Sequence, residues 1–220
     1  MLIQKGARLV MQGDSITDAG RARPIAEKNG TYGNGYVQAV AGLLMAAYPE
    51  LGIRVNNAGI SGNNTRDLLG RWDEDTMDLN PDWVSIMIGT NDVWRQFDTP
   101  LASESHVMLE EYKENYKRLI ELTLPHVKGL VLIAPYYMGQ WEDDPFRKRI
   151  LEYAETVKEL ARTYKLPFAE TQSLFDGYFK YWHPHMMSWD LIHPNHTGSM
   201  LIAKAFLNAI EFDWKRMENN

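Results

Sequence analysis

Two stretches of this chain carry residue types that do chemistry at a workable spacing. The first is Gly13-Asp14-Ser15-Ile16-Thr17, directly after the apolar run Leu9-Val10-Met11. It reads as a strand turning into a helix, with a hydroxyl at the turn. A helix N-terminus leaves backbone N–H groups unpaired and carries partial positive charge. A serine there sits beside donors suited to a developing oxyanion. Ser, Asp and Thr are also ordinary N-cap residues, so the stretch taken alone fits plain capping as well. It is not the nucleophile elbow G-x-S-x-G, because Thr17 stands where the second glycine is required. The second stretch is Asp190-Leu191-Ile192-His193. On a helix or tight turn, a three-residue spacing lets a carboxylate accept from the imidazole Nδ1–H. Nε2 is then left to accept a serine proton. Pro194 argues against a regular helix through the pair.

A sheet whose strand ends converge would have to bring these stretches together. Near-continuous apolar segments predict strands at Arg8–Gly13, Ile53–Asn57, Trp83–Ile88, Leu130–Ala134 and Leu166–Ala169. Helical periodicity is expected over Val37–Ala47 and from Asn64 or Thr65 through Leu68, Leu69 and Trp72. Longer helices are expected over about Glu104–Leu124, Phe146–Tyr164 and Thr197–Ile210. Asp18–Tyr36 and Phe97–Ser103 read as loops. Alternating strands and helices predict an α/β fold, a three-layer doubly wound domain with a parallel sheet. Sites in such sheets lie beyond the carboxyl ends of the strands. Ser15, Gly62 and Asn91 each follow one of the first three strands. No linker or repeat divides residues 1–220, so one domain is expected.

Composition narrows the class. The 220 residues are 45% hydrophobic and 24% charged, ordinary for a globular chain. A net charge of −6 without a basic patch argues against nucleic acid. The chain has no cysteine, which excludes disulfides and thiolate chemistry and fits a reducing compartment. Met1–Gly6 lacks an apolar targeting core, and no run approaches the roughly 18 apolar residues of a membrane span. The expected location is cytoplasmic, away from membranes, although a mature secreted chain would read the same.

Four blocks stand in order: Gly13-Asp14-Ser15, Ile60-Ser61-Gly62-Asn63, Gly89-Thr90-Asn91-Asp92 and Asp190-Leu191-Ile192-His193. Over nearly its whole length the chain therefore resembles the SGNH (GDSL-type) hydrolases, and within them the acetylxylan-esterase-like members. The resemblance implies a flavodoxin-like α/β/α ester hydrolase with a central five-stranded parallel sheet. It implies Ser15 as nucleophile, His193 as base and Asp190 as its orienting carboxylate. It implies an oxyanion hole from the Ser15 and Gly62 N–H groups and the Asn91 amide. Glycine suits position 62 because a backbone approaching substrate has no room for a Cβ. Asparagine suits position 91 because a neutral amide donates without adding a titrating charge.

The remaining polar and aromatic residues admit plainer roles. Asp14 and Asp92 are expected to hold loops or cap helices rather than bind metal, although Asp14 also adjoins the substrate. His183, His185 and His196 are expected at the surface, and neither metal nor cofactor is expected. Trp94 and Trp189 adjoin Asn91 and Asp190, so both indoles are expected to crowd the carbonyl-binding point and disfavour long acyl groups. The aromatics of Phe175–Trp182 read as a homo-oligomer contact. The leading functional expectation is an esterase removing acetyl groups from sugars. A lysophospholipase or thioesterase would want an apolar groove, which the Asp18–Tyr36 loop, with Arg21, Arg23, Glu27 and Lys28, does not suggest. A non-catalytic carbohydrate-binding relative is the third possibility.

Overall fold

Short apolar runs form five strands: β1 (Arg8–Gly13), β2 (Arg54–Asn57), β3 (Trp83–Met87), β4 (Gly129–Ile133) and β5 (Phe168–Ala169). They come from a computed structural model that describes residues 1–27 and 30–216; Lys28 lies outside the described residues. All pair in parallel, in the order β2-β1-β3-β4-β5. Every residue of β3 is buried, as a strand covered on both faces must be.

The helices follow in chain order: α1 (Ser15–Asp18), α2 (Tyr36–Ala47), α3 (Thr65–Gly70), α4 (Trp72–Asp75) and α5 (Thr90–Asp98). Then come α6 (Leu109–Thr123), α7 (Pro145–Tyr164), α8 (Gln172–Tyr178) and α9 (His196–Ala209). α9 packs on α2 and α8, while α6 packs on α3 and α7, and α5 on α7. β4 touches both α7 and α9, so helices cover both faces of the sheet. This strand order reverses direction between β1 and β3, and the crevice at that switch is where doubly wound sheets place a site. Among the described residues, no helix is long and apolar enough to cross a membrane.

Four local expectations need correction. The stretch from Phe97 begins inside α5, whose Phe97 ring packs 5.2 Å from Phe146. The long helix starts at Leu109 rather than Glu104: Ser103–Ser105 form a separate 3₁₀ turn and residues 106–108 are not helical, with the Arg66 guanidinium donating to the Glu104 and His106 carbonyls. The helix expected from Asn64 through Trp72 breaks at Arg71, where φ is −117° and ψ 12°. The aromatic run 175–182 divides between core and surface. Phe175 is fully buried and stacks 4.3 Å from Tyr136, so it serves the core rather than an oligomer contact, while Tyr181 and Trp182 are exposed.

Buried polar groups fasten the carboxyl edge of the sheet. The α6 hydroxyls of Tyr116 and Tyr112 donate to the Ile86 and Ile88 carbonyls at the end of β3. Gly89 follows with φ +135°, a backbone region that favours glycine, and a Cβ there would meet the Tyr112 hydroxyl at 2.7 Å. The Asn57 amide donates to the Thr17 and Tyr32 carbonyls and its oxygen accepts from the Gly59 N–H, tying α1 and the long loop to the end of β2. Asp92 does the same between β3 and α3, accepting from Thr65 N–H (3.1 Å) and Thr65 Oγ1 (2.5 Å).

Burial pushes the Asp92 carboxyl up to about 7, against the lowering effect of its Thr65 bonds. The folded state therefore holds this proton more tightly than the unfolded chain, whose ordinary value is 3.8. Its contribution to stability is present below that value and is lost as pH rises through about 7. Asp92→Asn keeps the oxygen that accepts from Thr65 and removes the titration. The Tm of the variant minus that of the parent should become steadily more positive between about pH 4 and pH 8, following the shift from the ordinary carboxyl value to the folded one. A difference flat with pH, measured by thermal melting, would show that Asp92 does not titrate with folding.

Candidate active site

Ser15 is the first residue of α1, directly past β1. Asp14 is the N-cap, and its carboxylate accepts from Ile16 N–H at 2.9 Å. It is 1% exposed, so it offers substrate no surface and the expectation of a binding contact is corrected to a capping one. Burial raises its carboxyl to about 6, opposed by the Ile16 bond and the nearby His193 charge.

Ser15 Oγ lies 2.7 Å from His193 Nε2, and His193 Nδ1 lies 2.6 Å from Asp190 Oδ2. The tautomer whose Nδ1–H donates to the carboxylate leaves Nε2 to accept the serine proton. The other Asp190 oxygen accepts from Ser188 Oγ (2.8 Å), Ile192 N–H (3.0 Å) and His193 N–H (2.8 Å). Burial would raise the Asp190 carboxyl, but the His193 ring and these donors outweigh it and hold it below the usual carboxylate range. The turn carries a left-handed Leu191 at φ +65°, so the three-residue spacing is realised in a tight loop. Met138 N–H donates to the Leu191 carbonyl, and Tyr136 Oη to that of Ile192. Those two residues lie just past β4, and sequence reasoning passed over them. Their position beyond a strand's carboxyl end was the signal available.

Gly62 and Asn91 follow β2 and β3, the two neighbours of β1 in the sheet. Gly62 has φ +84° and stands at the surface; a Cβ there would meet no protein atom. Its need for glycine is therefore the left-handed backbone, not crowding within the protein. Asn91 sits in the first turn of α5, 3% exposed. Its amide nitrogen donates to the Asn63 carbonyl at 2.9 Å, and its oxygen accepts from Arg95 at 3.4 Å. An amide has two N–H donors, so one remains beyond the bond to Asn63.

The two indoles differ. Trp94 is half-buried, its ring centroid 5.9 Å from that of His193. It lines a cleft of about 280 Å³ with Phe97, Asp98, Tyr137, Phe146, Asp190 and Ile192. Trp189 is 82% exposed and borders a separate cleft of about 390 Å³ beside His193 and Pro194. Trp94 stands beside the imidazole, whereas Trp189 projects into solvent. His183 and His185 stack 5.2 Å apart, and among the described residues no group of three or more His, Asp or Glu side chains converges to hold a metal.

Such an arrangement suits acyl transfer: a hydroxyl within reach of an imidazole, and a carboxylate fixing that imidazole. Comparison with known proteins points the same way. Residues 12–201 match the model of the GDSL-like lipase/acylhydrolase family. An acetylxylan esterase of Geobacillus stearothermophilus is 49% identical over 217 residues, 98% of this chain and 99% of that one. The crystal structure of Axe2, an acetylxylan esterase from the same organism, superposes with a TM-score of 0.95, covering 97% of this chain and 98% of its own. Catalytic mutants of Axe2 have been solved in which a serine, a histidine or an aspartate is replaced by alanine. LAE5, an α/β hydrolase from the metagenome of Lake Arreo, Spain, is 41% identical with a TM-score of 0.94, over 96% of this chain and 98% of its own. By sequence and by fold, the chain belongs to the GDSL-like lipase/acylhydrolase family.

Proposed function

We propose that this ester hydrolase is a serine esterase that removes small acyl groups, chiefly acetyl, from xylo-oligosaccharides or related acetylated sugars. The observation that carries the proposal is the relay of 2.7 and 2.6 Å from Ser15 through His193 to Asp190 at the sheet's switch point. Ser15 Oγ attacks the ester carbonyl while His193 Nε2 takes its proton. The carbonyl oxygen becomes an oxyanion, held by the Ser15 and Gly62 N–H groups and the free Asn91 amide hydrogen. His193 returns the proton to the departing sugar oxygen, leaving an acyl-serine. A water then repeats the sequence, giving acetate and free Ser15. Asp190 stays ionised and stabilises the imidazolium that forms at each stage.

The acetylxylan esterase relatives support the sugar and acetyl parts of this reading. Residues 1–220 act in it as one catalytic domain. Self-association belongs to the same reading, supported by Tyr181 at 83% and Trp182 at 55% exposure.

Ser15→Ala and His193→Ala should each abolish p-nitrophenyl acetate hydrolysis and leave thermal melting cooperative. The double variant should be hardly slower than either single, because the groups act as one unit. Substantial turnover by Ser15→Ala would reject the nucleophile. In the same assay Asn91→Ala should lower kcat by about 10²–10³, the worth of one oxyanion donor, with little change in KM. A change in KM alone would move Asn91 into ground-state binding.

Acyl length tests the substrate class. In an open groove each added CH₂ would favour binding by about 0.8 kcal/mol. Against a wall such as Trp94, overpacking costs about 1–3 kcal/mol and dominates. kcat/KM should therefore fall from acetate to butyrate and be negligible at octanoate, and Trp94→Ala should flatten that series. A preference rising with chain length in the parent would favour a lipase-like hydrolase of longer acyl esters.

A further inference from the structure

We infer that Arg71 is a positioning residue for the oxyanion site, its guanidinium fastening the Ser15 turn, the end of β2 and the Gly62–Asn63 turn into one unit. The inference rests on the roles proposed above for Ser15, Gly62 and Asn91. Arg71 occupies the break between α3 and α4, and its side chain is only 13% exposed. Nη2 donates to the carbonyl of Gly13, two residues before Ser15, at 3.1 Å. Nη1 donates to the carbonyl of Ala58, just past β2, at 2.9 Å. Nε donates to the Asn63 side-chain oxygen, next to Gly62, at 2.6 Å.

Two further bonds close the unit. The Gly13 carbonyl also accepts from Ile60 N–H, and the Asn63 carbonyl accepts from the Asn91 amide. One planar group thus sits within two residues of Ser15 and beside Gly62, and it reaches Asn91 through Asn63. The charge itself is matched by Asp75, 3.1 Å from Nη1. Arg71 is therefore read as a geometric brace rather than as a free cation aimed at the oxyanion. Bracing of this kind needs the rigid five-donor fork of arginine, which the single ammonium of lysine cannot reproduce. Donors displaced by a fraction of an ångström still bind the ground-state ester but no longer match the tetrahedral oxyanion.

The test uses the full chain, with p-nitrophenyl acetate as substrate and a methylboronic acid as tetrahedral analogue. Arg71→Lys should lower kcat by about 10- to 100-fold and leave KM within about twofold. Its affinity for the boronate should fall by the same factor as kcat. Asn63→Ala removes one arm of the brace and should shift both quantities in the same direction, by about tenfold. It decides the matter if Arg71→Lys does not fold. Parental kcat and boronate affinity in a folded Arg71→Lys would overturn the inference, as would a rise in KM alone. The same holds for Asn63→Ala. A parent protein with no Ser15-dependent turnover would overturn instead the reading on which the inference rests.

Discussion

A hydrogen bond between Ser15 and His193 joins residues 178 positions apart in the chain. It forms only if two separately folded turns stop within 2.7 Å of each other. The parallel sheet makes this possible. Hydrogen bonding fixes the register of β1 against β2 and β3, with Met11 opposite both Asn57 and Ser85. The three strands therefore end at one edge, and whatever follows each of them is presented to the same space. Helices on both faces leave that edge as a natural opening for a site.

Rigidity at the edge comes from polar groups buried against backbone. Such groups are costly unless paired, so each bond fixes a position as well as satisfying a donor. Asn57 closes α1 and the long loop onto β2; Tyr112 and Tyr116 close α6 onto β3; Asp92 closes α3 onto the start of α5. The Asp190 turn is held from outside by Met138 and Tyr136 and from inside by its own carboxylate. That carboxylate orients the ring and at the same time builds the loop that carries it.

Around this frame the surface differs from one side of His193 to the other. Trp94 stands half-buried over a cleft lined by aromatic side chains and the Asp98 and Asp190 carboxylates, whereas Trp189 projects into solvent beside a second cleft.

The apolar strand runs and the punctuation around them were legible in the residues themselves. Burial on both faces of a parallel strand demands a continuous apolar segment, and Leu9-Val10-Met11 or the run within Leu130–Ala134 can satisfy little else. The four motif blocks likewise carry their residue types and order in the chain, and the family follows from them. What the linear order could not decide depends on neighbours remote in sequence. Whether 104–108 joins the helix that follows depends on Arg66 reaching across to two carbonyls, and whether Phe175 faces water depends on Tyr136. Asp14 looked like a contact because it adjoins Ser15, yet helix geometry turns its carboxylate back onto Ile16 and buries it. Trp94 and Trp189 stand at similar distances along the chain from the catalytic blocks, but only packing against α7 and the β4 loop gives Trp94 a wall to belong to. Local sequence sets which residues can form a strand, a cap or a turn. The choice between surface and interior, and the distances between atoms that react, belong to tertiary packing, because those energies come from groups the chain brings together only when folded.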